Sequence, residues 1–213
     1  DSLTNEIDFT HENDDFFLGV KASAYETLKD NYNDKYEYIL PDVTFNKNLL
    51  TDSELGVLDF KSNLRIRNYD TNKTTRFLVN DFDWRSKDLS FNSGLRGNFI
   101  GKFKNINYEA KNSLKKNNKF RGYKENMTHE LFGAFGYLTE LDLYKKTNNN
   151  FNHLLTPKIL FRYAPDHMRK EDNGAKVNYL NIFNLDRLNT SNNFESGMSA
   201  TLGFDYEVKN SSK

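Results

Sequence analysis

Thirty acidic side chains, thirty basic ones and four histidines give this chain every titratable group that hydrolysis or metal binding needs, apart from a cysteine thiolate. Their spacing limits what they can do. His11, His129, His153 and His167 stand too far apart in sequence for the close pairs that zinc sites use, and each reads as a surface or loop residue. The acidic stretches Asp30 to Asp34 and Asp166 to Gly174 lack the glycine and terminal glutamate at the places an EF-hand requires. They leave at most a loosely held loop calcium. Gly94, Gly97 and Gly101 are spaced like pieces of a phosphate loop, yet they fall along one alternating segment, where glycine relieves crowding or permits a bend. The run Gly197-Met198-Ser199-Ala200-Thr201 lacks the second glycine of a nucleophile elbow. Asp81 with Asp83, and Asp205 with Glu207, lie two apart and so share a strand face. Acid–base catalysis uses such pairs, but a water-facing wall accounts for them more simply. No catalytic residue, metal ligand or cofactor is expected.

The elements that hold these residues are strands. From Phe194 to Val208 every even position except Ser196 is apolar and every odd one is small, polar or acidic. A strand points successive side chains to opposite faces, so this segment buries one side and wets the other. Leu58, Phe60, Leu64 and Ile66 alternate in the same way with Asp59, Lys61, Asn63, Arg65 and Arg67. Leu89, Phe91, Leu95, Phe99 and Phe103 form a further apolar row, and Ile106, Tyr108, Ala110 and Leu114 another, with a tight turn expected between them at Lys104 and Asn105. Leu131, Phe135, Tyr137, Leu141 and Leu143 repeat the pattern, as do Leu155, Ile159, Phe161 and Tyr163. With weaker strands near residues 3–10, 16–28, 36–46 and 75–86, about ten are expected in all. Val177 to Leu188 has helix-compatible spacing but lies inside a polar stretch from Ala164 to Asn193, read as one large loop. A second long loop is expected near residues 116–127.

Composition narrows the setting. Mean hydropathy is −0.82, which by itself suits a charged soluble chain or disorder, but an aromatic content of 15% argues against disorder. Zero net charge excludes a broad attraction for nucleic acid, and the local cluster Lys115, Lys116, Lys119, Arg121 and Lys124 reads as a solvated loop. Without cysteine there is no disulfide or thiolate site within these residues. No apolar run approaches the length of a spanning helix. Asp1 is not an initiator methionine, so the chain is expected to be a segment of a longer one.

Two solvents fit the apolar faces. In a β-sandwich they form a core; in a membrane barrel they meet lipid while the polar faces line a lumen. The alternating segments exceed the roughly 9 to 11 residues that a tilted strand needs to cross a bilayer. Tyr25, Tyr69, Trp84, Tyr108, Tyr144, Tyr163 and Tyr206 fall near expected strand ends, as an interfacial aromatic girdle would. Expected long connections also fall on alternate turns, except that Ser86 to Asp88 is short where a long one is due.

Four segments in series carry a family resemblance. Tyr36-Glu37-Tyr38-Ile39-Leu40-Pro41-Asp42-Val43-Thr44-Phe45 resembles a Tyr-x-x-Leu-Pro-Glu-x-x-Phe strand in the C-terminal barrel domain of the lipopolysaccharide-assembly family LptD. Arg67-Asn68-Tyr69-Asp70-Thr71-Asn72, with Val79-Asn80-Asp81-Phe82-Asp83-Trp84, is similar to the next hairpin of its alphaproteobacterial members. Leu154 to Pro165 resembles the strand leading into a long loop, and Asn181 to Leu188 followed by Glu195-Ser196-Gly197 resembles that loop and the next strand.

The resemblance implies an all-β fold, an antiparallel transmembrane β-barrel segment of about ten long strands, with residues 1–213 forming part of a larger outer-membrane barrel. It implies a translocon that inserts lipopolysaccharide into the outer leaflet of the outer membrane, and not an enzyme. A porin-like or other outer-membrane barrel transporter is the alternative, and a soluble β-sandwich carbohydrate-binding module the second. Partners so implied are lipopolysaccharide, outer-membrane lipid and, through domains outside this segment, the lipoprotein LptE and periplasmic Lpt bridge proteins. Asp59, Lys61, Arg65, Arg67, Glu195, Asp205 and Glu207 are the candidates for the lumen wall. Pro41, Pro157 and Pro165 match the family's strand-end or bend positions, and Asp186 and Arg187 match its loop motif as a fold-holding pair.

Overall fold

The computed structural model describes residues 2–29, 35–69, 72–112, 123–147, 151–165, 177–188 and 193–210. Within them the alternating segments become β1 (Ser2–Asn13), β2 (Phe16–Thr27), β3 (Tyr36–Asp52), β4 (Gly56–Tyr69), β5 (Lys73–Arg85), β6 (Leu89–Ser90), β7 (Leu95–Lys111), β8 (Thr128–Leu141), β9 (Leu143–Lys146), β10 (Phe151–Ala164) and β11 (Gly197–Asn210). All belong to one antiparallel sheet in the order β1-β2-β3-β4-β5-β7-β8-β10-β11, with β6 paired to β7 and β9 to β10. It is an open segment of an up-and-down β-barrel wall, with β1 and β11 at its edges.

Local chemistry sets the turns. The Asp52 carboxylate accepts the backbone N–H groups of Glu54 and Leu55, an Asx-type arrangement that reverses the chain. Gly56 follows with φ at 92°, and a Cβ there would stand 2.0 Å from the Arg85 carbonyl oxygen. Only glycine fits.

Register shows where the apolar face lies. Leu58, Trp84, Gly101, Phe135, Tyr163 and Met198 stand level across β4, β5, β7, β8, β10 and β11. In β4 the apolar set continues from that row toward the β4–β5 connection, through Phe60, Leu64 and Ile66. In β11 it continues the opposite way, through Leu202, Phe204 and Tyr206. The belt therefore crosses the strands obliquely, as it must when strands tilt through a bilayer. Ring contacts run along it from Phe16 to Phe45, Phe60, Phe82 and Phe103. Its members are exposed, Ile7 and Leu202 each at 77%.

Several sequence expectations change. No turn interrupts Lys104 and Asn105; β7 runs through them as a single strand of 17 residues. What changes there is the face that is apolar. Phe99 and Phe103 lie on the apolar face of the sheet, whereas Ile106, Tyr108 and Ala110 lie on the opposite one and are buried, because Leu185, Phe194 and Tyr123 pack over that part of the wall. A phase slip in the alternation thus imitates a turn.

Removing that turn also changes which connections share an end of the sheet. β2, β4, β7 and β10 finish at one end of the sheet, and β1, β3, β5 and β8 at the other. Ser86 to Asp88 leads into β6 and so belongs to a longer link between β5 and β7, and the two longest links, after β7 and after β10, leave from the same end.

Residues 177–188 form turns and bends, in keeping with the large loop expected there. β11 begins at Gly197, so Phe194 precedes the strand and packs at 6.1 Å on the Phe132 ring. Tyr108 leaves the expected girdle as well. It is 2% exposed, stacks on Phe77 and sends its hydroxyl to Glu130. By the alternation Tyr25, Tyr69 and Tyr144 also fall on the polar face, which leaves Trp84, Tyr163 and Tyr206 on the apolar one. Acidic residues 30–34 and 166–174, His167, Leu114, and the basic residues 115, 116, 119 and 121 lie outside the described residues.

Candidate functional site

The polar face is built by register. Asp59 stands opposite Asp83, Lys61 opposite Asp81 and Arg65 opposite Asp42, so β3, β4, β5 and β7 bring charges of both signs to one wall. Arg65 donates through Nε and Nη2 to Asp42, at 2.9 and 2.6 Å, and Arg67 reaches Glu37 in the same forked manner at 2.6 and 3.0 Å. Lys102 holds Asp83 at 2.7 Å. Lower on the wall Arg96 meets Asp142 at 2.6 Å, and Lys158 spans Glu140 at 3.3 Å and Asp205 at 2.5 Å. Glu207 pairs with Lys209. Forked and shared contacts of this kind keep charged side chains flat against the sheet.

The segment before β11 folds onto this face and partly fills it. Arg162 on β10 donates from Nε to the Leu185 carbonyl at 2.6 Å and from Nη1 to the Gly197 carbonyl at 3.3 Å. A third bond runs from its Nη2 to the Glu195 carbonyl. One buried guanidinium thus satisfies backbone acceptors on both sides of the loop. Glycines make the seats: a Cβ on Gly136 would stand 2.8 Å from Leu185 Cδ2, and one on Gly203 would stand 2.9 Å from the Phe183 ring.

Between loop and wall lies a buried charge triad. Lys104, its side chain 3% exposed, sits 3.5 Å from Asp81 Oδ1 and 3.3 Å from Asp186 Oδ2. Burial pushes the Asp186 carboxyl above its ordinary value, with Asp81 adding to the shift, while Lys104 and Lys102 oppose it. Beside the triad opens a cavity of about 1030 Å³ whose lining includes Asp59, Lys61, Arg65, Lys102 and Phe183.

The expected site residues divide accordingly. Asp59, Lys61, Arg65, Arg67, Asp205 and Glu207 all stand on the polar face. Glu195 is not on a strand; both its carboxylate oxygens accept from Arg187 within the loop. Asp186 and Arg187 hold different partners. Each anchors the loop through its own partner, Lys104 and Glu195. Pro41 follows a cis peptide at the irregularity between Ile39 and Asp42 in β3, Pro157 lies opposite Phe204 in β10, and Pro165 immediately follows β10. Sequence reasoning missed Lys104, Arg162, Gly136 and Gly203. The one available signal was an ionic or glycine residue at an inward position next to apolar inward neighbours. The described histidines stand apart, His129 on Asn107 and His153 on Tyr206.

A long-stranded wall with one apolar face and one face of paired charges suits a transport conduit, and comparison with known families identifies which. The family model described as LPS transport system D (LptD) matches residues 2–213. The chain belongs to the LptD family. No curated protein matches the sequence. LptD proteins are lipopolysaccharide transporters of the outer membrane, so the class of cargo is lipopolysaccharide. The β-barrel wall described above is the LptD part that this chain supplies.

Proposed function

We propose that this chain forms part of the outer-membrane translocon that inserts lipopolysaccharide into the outer leaflet. The apolar belt faces lipid, and the polar wall lines a hydrated lumen through which the sugars pass. Asp59, Lys61, Arg65, Arg67, Asp205 and Glu207 belong to that wall, where opposite charges hold one another and leave no broad surface of one sign to trap the cargo. Arg65 is half exposed even in its pair with Asp42, so it meets phosphate groups of the passing headgroup transiently. Glu195 acts differently, holding the seated loop through Arg187.

The observation that carries this reading is the oblique exposed belt on one face and the ion-paired wall on the other, in a chain of the LptD family. A sandwich would bury the apolar face under a second sheet, and all described strands belong to one. The test is reconstitution of the intact parent protein with measurement of lipopolysaccharide delivered to the outer surface. Delivery supports the translocon. Open ion conductance without delivery would replace it with a porin.

A further inference from the structure

The apolar face of the wall is crossed by a polar track. On β4 the outward positions run Leu58, Phe60, Ser62, Leu64 and Ile66, and on β5 Phe82, Asn80, Leu78 and Arg76 share that face. Ser62 stands opposite Asn80, and Asn80 opposite Asn105 of β7. Ser62 Oγ donates to Asn80 Oδ1 at 2.8 Å, Asn80 Nδ2 to Asn105 Oδ1 at 3.3 Å, and Asn107 Nδ2 to the same oxygen at 2.5 Å. His129 on β8 ends the track, its Nδ1 2.6 Å from Asn107 Oδ1. On β7 the asparagines lie just past Phe103, where the outward apolar row stops. On β4, Ser62 lies inside the belt, with apolar neighbours above and below. The track thus descends from the edge of the belt toward its middle.

Two features of the track call for a polar lipid. Asn80 Nδ2 bonds Asn105, and Asn105 Nδ2 bonds the Glu130 carbonyl at 3.4 Å, so among the described residues each amide keeps a second hydrogen beyond these bonds. Acyl chains offer no acceptor, and a spare donor in hydrocarbon is costly. Nearer the end where β4 and β7 finish, Arg76 and Lys111 share Glu109, at 3.3 and 3.2 Å, and both cations are more than half exposed. Two cations on one carboxylate leave local positive charge, which suits a phosphate.

We propose that this track is an exterior binding site for one lipopolysaccharide molecule of the surrounding leaflet. Arg76 and Lys111 take a headgroup phosphate, the spare amide hydrogens of Asn80 and Asn105 take carbonyls of its amide- and ester-linked chains, and Ser62 meets a hydroxyl on an acyl chain. Depth separates this lipid from a glycerophospholipid. The latter's polar atoms end at the ester linkages, whereas hydroxylated acyl chains carry a polar atom below them, at the level Ser62 occupies. Breadth agrees: from β4 to β8 the track crosses three strand spacings, about 14 Å, which suits a lipid of several chains. Those chains lie along Phe60, Phe82 and Phe103, whose rings already touch in series. The site lies outside the lumen and rests on the reading that the apolar face meets lipid, not on delivery of cargo.

Photo-crosslinking tests this in the intact parent protein, reconstituted in vesicles that contain both lipopolysaccharide and phosphatidylethanolamine. Leu78→p-benzoylphenylalanine sets the probe outward between Asn80 and Arg76, and Phe204→p-benzoylphenylalanine on β11 samples ordinary bilayer. The ratio of lipopolysaccharide to phosphatidylethanolamine adduct is expected to be several-fold higher at position 78 than at 204. Asn80→Leu with Asn105→Leu, apolar replacements of similar size, should abolish that excess, as should Arg76→Gln with Lys111→Gln. With unaltered asparagines and basic residues, lipopolysaccharide stripped of its phosphates should be captured several-fold less, a readout that requires no variant to fold. Equal ratios at the two positions, an adduct with phosphatidylethanolamine alone, or an excess indifferent to both the substitutions and the phosphates would overturn the proposal. Lipopolysaccharide delivery is scored in the same vesicles. Loss of delivery with the selective adduct kept counts against the translocon alone, whereas no lipid adduct at either position would overturn both the site and the membrane reading.

Discussion

Lys104 on β7 and Asp186 in the segment before β11 meet at 3.3 Å, with side chains 3% and 8% exposed. Among the described residues this ionic contact fastens the inner loop to the barrel wall, and Asp81 shares the same ammonium.

Removing the lysine should therefore release the loop. Lys104→Met takes the nearest cation from the buried Asp186 carboxylate, while Asp81 keeps Lys102 at 3.9 Å, and breaking a buried pair in this way typically costs about 3 to 5 kcal/mol. Hydrogen exchange at the Leu185 and Phe194 amides is expected to speed up accordingly, with the strand amides of β4 and β5 little affected. Asp186→Asn should be milder, since Lys104 keeps Asp81. Equal effects of the two substitutions would show that the triad does not hold the loop.

The same carboxyl predicts a pH dependence. Burial raises the Asp186 value in the seated state above that in the released state, so the seated state binds its proton more tightly. The stability this proton contributes is present at acid pH and is lost as pH rises through the window between the released and the seated values. Protection of Leu185, corrected for intrinsic exchange, should be greater in mild acid than at neutral pH. Asp186→Asn should flatten the profile.

Gly136 is predicted to be intolerant of a side chain. A Cβ there meets Leu185 at 2.8 Å, the Phe161 carbonyl at 3.1 Å and Ile100 at 3.2 Å. Overpacking of this kind typically costs about 1 to 3 kcal/mol. Gly136→Val should expose the 177–188 segment to protease, whereas Gly203→Ala should do so less, because the Phe183 ring can turn aside.

Lipid contact can be read by substitution and by fluorescence. Leu202→Arg near the middle of the β11 belt should cost about 2 to 4 kcal/mol in bilayer folding titrations; Glu207→Lys, on the polar face beside Lys209, should cost much less. Trp84, the single tryptophan, packs over Gly101 at the lower edge of the belt and donates its Nε1–H to the Leu55 carbonyl at 2.9 Å. Its emission should be quenched more by lipids brominated near the glycerol than by those brominated near the chain end. Insensitivity to both would place this face outside the membrane.

Period-two alternation in the sequence was enough to establish the strands, the long connection before β11 and which side of β4 or β11 is charged, because a strand's side chains can only alternate. Asp59, Lys61, Arg65 and Arg67 were therefore legible as one face, as were Asp205 and Glu207. The family was legible too, from local motifs that survive without any knowledge of contacts. Tertiary structure alone decided the rest. Whether Ile106 and Tyr108 follow a turn or continue β7 depends on Leu185 and Phe194 arriving from far along the chain to cover them. Alternation reports a change of solvent along a strand but not its cause. The partners of Asp186 and Arg187 and the glycine seats at Gly136 and Gly203 likewise arise from register between distant strands, which no local pattern encodes.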